Sequence, residues 1–208
     1  VLATMKTLAD VAMPIPDALT RLHDAMLKRP GVYNATIAFP VGAMWGAYFD
    51  DNGQLRVLES SVGPGGTRIN YEVKNGQLVE IKRLPNTYDP RTRPFYALAQ
   101  KEKRRVWAPP YVFYDQGVPG ITCAEPIYGK DGALRGVVTV DFDLAVLSKF
   151  VAALHLSQHA VVFLYTHDGD GEAIEIAPFA VMPVPASTAS VGLLKLAGSP
   201  PIGSKPLT

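Results

Sequence analysis

"VWAPPYVFYDQGVPGITCAEPIYGKDGALRGVVTVDFDL", residues 106–144, decides the fold. It holds three β-rich runs, "VWAPPYVFY", "ITCAEPIYG" and "ALRGVVTVDFDL", parted by the turn signals "DQGVPG" and "KDG". Glycine beside aspartate or proline favours a tight reversal, so the three runs read as antiparallel neighbours. The last run alternates. Val138, Val140 and Phe142 fall on one face, and Val137, Thr139, Asp141 and Asp143 on the other. Asp141 therefore stands at the far end of an apolar strand, where a carboxylate needs a partner because burying an unpaired charge is costly. That partner is either an arginine of the protein or the ammonium of a bound molecule.

Upstream the texture is similar. "VYNATIAF", "MWGAYF", "LRVLESS", "TRINYEV" and "LVEIKRL" follow one another between residues 32 and 84, with "DDNG" and "KNG" among the breaks. Asn-Gly is a strong hairpin signal because both residues reach positive φ readily. Ahead of these strands, Leu8, Val11, Ala12, Ile15, Leu19, Leu22, Met26 and Leu27 recur at helical spacing. Pro14 and Pro16 interrupt that pattern, which predicts one helix before them and a second beginning near Asp17 as N-cap and ending before "RPG" at 29–31. A further helix over 93–103 separates the two groups of strands. No βα alternation occurs, so the class is α+β with an antiparallel sheet. "LAVLSKFVAAL", 144–154, reads as a helix leaving the last strand, and residues 159–178 as another hairpin. The remainder is rich in Pro, Ser and Gly. The chain divides into an N-terminal helical region, 1–30, a sheet module, 31–150, and a partial second module or tail, 151–208.

Composition narrows the function. Among 208 residues, 48% are hydrophobic and 19% charged, which describes a turn-rich globular chain able to bury a core. The net charge of +1 and the single short basic run "KEKRR" give no basis for nucleic-acid binding. Cys123 is the sole cysteine, so neither a disulfide framework nor a cysteine metal site can be built from this chain alone. No apolar run is long enough for a bilayer span and no signal-peptide pattern opens the sequence, so a membrane role requires segments outside it. "HDGDGE", 167–172, fails the calcium-loop spacing, with Ala173 and Phe179 where Gly and Glu belong. His23, His155, His159 and His167 show no metal spacing, and neither a nucleophile elbow nor a phosphate loop is present. Binding without catalysis, cofactor or metal is the expectation.

The segment with most chemistry is "YDPRTRPFYALAQ", 88–100. Thr92 is a candidate N-cap and Pro94 suits a first helical turn, so the helix is predicted to start at Arg93. Unsatisfied backbone N–H groups beside a guanidinium suit a carboxylate. Tyr88 supplies a phenol, and Phe95 and Tyr96 supply aromatic surface. A plainer use is open: Arg93 pairs with a local acid such as Asp89 while the aromatics fill the core. Arg93 and Asp141 can hold the two ends of an amino acid, or they can bond each other.

Together these stretches resemble the double Cache sensor domains found outside the membrane in bacterial chemoreceptors, histidine kinases and nucleotide cyclases. The resemblance runs through residues 88–151 and rests on the order of its motifs: DPR-x-RP-aromatic-Tyr, W-x-x-P-Y, G-x-T-x-x-x-P-[VI]-Y, and a strand ending in Val-Asp before a helix. It implies a PAS-like antiparallel sheet flanked by helices, with a long N-terminal helix. Family members that bind amino acids carry a Tyr, an Arg after four intervening residues, then Trp and Tyr, and a distant Asp. Tyr88, Arg93, Tyr96 and Asp141 match by spacing, and Phe95 replaces the Trp. The resemblance implies that Arg93, Tyr88 and position 95 hold a ligand carboxylate, and Tyr96 and Asp141 its ammonium. Phe95 keeps a stacking face and a backbone N–H but lacks the indole donor. Tyr111, Asp115 and Thr122 are implied as secondary pocket positions.

The expected function is therefore an extracytoplasmic, periplasmic sensor domain of a membrane-anchored inner-membrane receptor. It would bind an amino acid or small organic acid and pass a conformational change to a separate output domain, with the N-terminal helix as a candidate homodimer surface. The alternative is a structural or dimerisation module of PAS-like form, its pocket closed by an Arg93–Asp141 ion pair. A small hydrolase using Asp141 as base would need a second perturbed acid or a metal nearby.

Overall fold

In the computed structural model, residues 1–10, 13–29, 31–115, 117–153, 160–167, 173–177 and 190–193 are described. The chain forms two compact units, Val1–Leu144 and Ala145–Thr208.

The first unit is built on eight antiparallel strands: β1 (Asn34–Ala38), β2 (Met44–Phe49), β3 (Leu55–Ser60), β4 (Thr67–Lys74), β5 (Gln77–Pro85), β6 (Val106–Val112), β7 (Pro119–Tyr128) and β8 (Leu134–Asp143). Their order across the sheet is β5-β4-β3-β2-β1-β8-β7-β6. Two meanders, β1 to β5 and β6 to β8, are joined where β1 pairs with β8, with Asn34 opposite Asp141 and Thr36 opposite Thr139. Asn75 and Gly76 turn β4 into β5 at φ 51° and 74°, the positive values for which Asn-Gly is suited.

The two faces of the sheet carry different cores. On one lie α1 (Leu2–Asp10) and α2 (Ile15–Leu27), whose Met5, Leu8, Leu19, Leu22 and Met26 are buried with Ile37, Ala47, Val57, Val138 and Val140. On the other lies α3 (Pro94–Glu102), whose Phe95, Tyr96 and Ala99 are buried with Ala38, Val106, Ala108, Ala124 and Val137. The alternation of β8 thus sends Val138 to the first face and Val137 to the second. Asp141, in step with Val137 and Thr139 in that alternation, shares the second face with α3.

Three expectations need correction. The N-terminal region is two helices of 9 and 13 residues, as the interruption at Pro14 and Pro16 predicts and unlike the long helix the resemblance implies, and Leu8, Leu19, Leu22 and Met26 of its apolar stripe are buried against the chain's own sheet. The second helix begins at Ile15 with Pro14 at the N-cap position, three residues before the expected cap Asp17, because Pro16 falls in the first turn, where its missing N–H leaves no bond unmade. At α3 the N-cap is Arg93 itself, at φ −88° and ψ 151°, because the residue before a proline is pushed out of the helical region. Thr92 instead ends a short 3-10 turn, Pro90–Thr92, whose cap is Asp89 accepting from the Arg91 amide at 3.0 Å.

α4 (Leu144–Ala153) follows β8 directly in sequence, and from Ala145 onward it belongs to the second unit. β9 (Ala160–His167) pairs antiparallel with β10 (Ala173–Ala177), and β11 (Ser190–Leu193) pairs parallel with β9. The turn at 168–172 and most of the Pro/Ser/Gly-rich tail lie outside the described residues, as does much of the expected partial module over 151–208.

Candidate functional site

A hollow of about 40 Å³ opens on the α3 side of the sheet, lined by residues from β1, β2, β3, β6 and β8, the start of α3 and the β6–β7 turn. Of the residues expected at a site, Tyr88, Arg93, Phe95, Tyr111, Asp115 and Asp141 line it. Tyr96 does not. It is only 4% exposed and lies in the core beneath α3, because successive helical residues point about 100° apart, and Phe95 already takes the direction of the hollow.

Asp141 is 7% exposed, on β8 beside its two neighbouring strands. Thr122, opposite it on β7, donates to Oδ1 at 2.7 Å, and Asn34, opposite it on β1, donates Nδ2 to Oδ2 at 3.1 Å. Tyr111 lies 2.7 Å from Thr122 Oγ1. The single Thr122 proton goes to Asp141, so the Tyr111 phenol is the donor in that contact. Burial pushes the Asp141 carboxyl up to about 7, and the Thr122 and Asn34 hydrogen bonds only partly oppose it. Burial, with the Asp141 charge behind it, also raises the Tyr88 and Tyr111 phenols well above their ordinary range, so both stay neutral donors.

Arg93 is held by rings. Its guanidinium carbon lies 5.9 Å from the Tyr88 ring centre and 5.5 Å from that of Tyr111, and Nη2 donates to the Val112 carbonyl at 2.9 Å. Asp89, the local acid of the plainer reading, is engaged by Arg91 instead, at 2.7 Å. Arg93 and Asp141 face one hollow, and no hydrogen bond or ion pair joins them. Among the described residues Arg93 has no carboxylate partner, so its remaining N–H groups are available to a guest.

The roof is the β6–β7 turn. Phe113 stacks on Tyr33 at 5.9 Å, Tyr114 lies 5.0 Å from Tyr88, and Asp115 pairs with Arg68 of β4 at 2.5 Å. Phe113 can lie there because Gly120 has no side chain: a Cβ at that position would come within 2.1 Å of the ring. Tyr33, Asn34, Tyr48 and Phe113 also line the hollow and were not foreseen. Asn34 reaches it only through the pairing of β1 with β8, 107 residues away in the chain, which no local pattern encodes.

The sequence pattern of the family described as methyl-accepting chemotaxis protein-like, first PDC sensor domain, matches residues 46–149. The chain belongs to this family. Two curated relatives are similar in sequence: the methyl-accepting chemotaxis protein PscA of Pseudomonas syringae pv. tomato, 29% identical over 121 residues, and McpB of Bacillus subtilis, 33% identical over 109. The matched regions take in 58% and 51% of this chain but 17% and 16% of those proteins, so the sensor domain spans only a small part of their length. Among solved structures, a methyl-accepting chemotaxis protein X has the same fold, with a TM-score of 0.52 at 16% identity over 73% of this chain and 57% of that one.

Proposed function

We propose that this sensor domain binds a free amino acid, or a closely related small carboxylate, with Arg93 on the carboxylate and Asp141 on the ammonium. The observation that carries this reading is that a guanidinium and a buried acid line one hollow without bonding to each other. Opposite charges left apart in a partly desolvated space are costly unless a guest supplies both complements. Tyr88, Tyr111 and Phe95 form apolar walls between the two poles. The free volume, room for roughly three waters, suits a small polar head group. A larger side chain requires the Phe113–Asp115 turn to yield.

Nothing in this arrangement asks for chemistry beyond binding. Asp141 has both oxygens engaged by donors, which suits an acceptor of a cation rather than a base working on a substrate. In the same reading the domain faces the periplasm as part of a membrane-anchored receptor. Binding shifts the population between two conformations of the pocket strands, and β8 runs in sequence straight into α4 towards a distant output domain. A homodimer through the N-terminal region would use the outer side of α2, where Ile15 and Leu27 are exposed, and sedimentation at rising concentration tests it.

A thermal-shift screen of amino acids, simple amines and small organic acids tests the function. A binder raises the melting temperature by mass action. Stabilisation by amino acids above their matched amines and acids is the expected result; stabilisation by none of the three classes would overturn the reading.

A further inference from the structure

The polar inventory of the hollow leaves one atom unmatched. Asn34 donates through Nδ2 to Asp141 Oδ2, which fixes the orientation of its amide. Its Oδ1 is then turned elsewhere, is buried, and has no hydrogen-bond partner. A buried carbonyl oxygen left without a donor costs about 1–3 kcal/mol, so its retention beside a binding hollow calls for a donor brought from outside. No side chain of the hollow donates to it, and the hydroxyl groups of the flanking strands are engaged elsewhere. Thr36 and Thr139 bond each other at 2.7 Å, Tyr111 is committed to Thr122, and Tyr48 donates to Asn70 at 3.0 Å.

We propose that Asn34 is a specificity-determining residue: its Oδ1 accepts a second N–H from the ammonium that Asp141 holds, so the site selects a primary ammonium over a fully N-methylated one. This rests on the reading of Asp141 as the ammonium pole. A primary ammonium has three N–H groups pointing in different directions, and a lone carboxylate beside it satisfies only part of that set. Asn34 and Asp141 stand directly opposite each other on adjacent strands and both line the hollow, so a small shift of the Asn34 side chain on binding would bring Oδ1 to the ammonium that Asp141 holds. A trimethylammonium group keeps the charge and finds aromatic walls in Tyr88, Tyr111 and Phe113, but it has no proton for Oδ1 and leaves that atom stranded.

Two roles of Asn34 separate in experiment. Donation to Asp141 affects any cationic guest alike, whereas acceptance by Oδ1 affects only a guest with N–H groups. Calorimetric titration of the chain with the proteinogenic L-amino acids identifies the tightest binder, which is then compared with its N,N,N-trimethyl derivative on wild type and Asn34→Ala. Both guests share whatever loss follows from the missing donation to Asp141, and the primary amino acid is expected to lose at least about tenfold more affinity on substitution than the trimethyl derivative. Equal losses for both, or none for the primary amino acid, would overturn the proposal while leaving the amino-acid site intact. If no amino acid binds wild type, the site reading falls and the proposal with it. Should Asn34→Ala fail to fold, Asn34→Leu, of similar size and without polar atoms, supplies the same comparison.

Discussion

At the scale of single residues, the site is a pair of charges kept apart by neutral groups. Arg93→Ala removes the guanidinium proposed to hold the ligand carboxylate and is expected to weaken amino-acid binding by about 2–4 kcal/mol, measured by titration calorimetry. Unchanged affinity would place the carboxylate elsewhere. Asp141 carries a pH signature. Its folded pKa, about 7, lies above the unfolded carboxylate value, so the folded state holds the proton more tightly. The resulting contribution to stability is fully present below about pH 4 and is lost as pH rises through 7, a change on the order of 4 kcal/mol at most. Urea unfolding of the ligand-free chain across that window should show this decline, and Asp141→Asn should flatten it; an equal slope in both would assign the titration to another group. Segment 88–100 made it legible that Arg93 and Tyr88 share one hollow, because the proline and aromatic spacing is local. Tyr96 was misplaced by the same spacing, since adjacency in a helix does not mean a shared face.

At the scale of elements, hairpins were legible and helix starts less so. Asn75–Gly76 and the alternation of β8 announce themselves, and the latter sets which side of the sheet receives Asp141. The N-termini of α2 and α3 depend on how Pro16 and Pro94 are accommodated, which moved the caps from Asp17 to Pro14 and from Thr92 to Arg93. The junction of β1 with β8 joins the two meanders and creates the site, yet it is a long-range pairing without a local signal. The roof over the hollow depends on one missing side chain. Gly120→Ala brings a methyl group against the Phe113 ring and within 2.8 Å of the Phe142 carbonyl. Overpacking of this kind is expected to cost about 1–3 kcal/mol in chemical denaturation and to weaken amino-acid binding. Full stability with unaltered binding would mean that Phe113 has room to spare.

At the scale of the whole molecule, the compact unit Val1–Leu144 contains both charged poles, both cores and every lining residue of the hollow. A fragment of residues 1–150 is therefore expected to unfold cooperatively and to bind the same amino acids with affinity within about threefold of the full chain. Loss of binding in a folded fragment would assign part of the site to later residues. The α+β class and the sensor family were readable from the order of turns and motifs, but the two-faced division of the core was only implied by the alternation of β8. The proposed recognition has Arg93 and Asp141 acting together on one guest. The most direct measurement is titration calorimetry with the tightest-binding amino acid beside its decarboxylated amine and its deaminated acid. Each half-molecule is predicted to bind at least about a hundredfold more weakly than the amino acid, because each leaves one pole without its complement. If either half binds as tightly as the whole, the two residues do not grip opposite ends of one ligand.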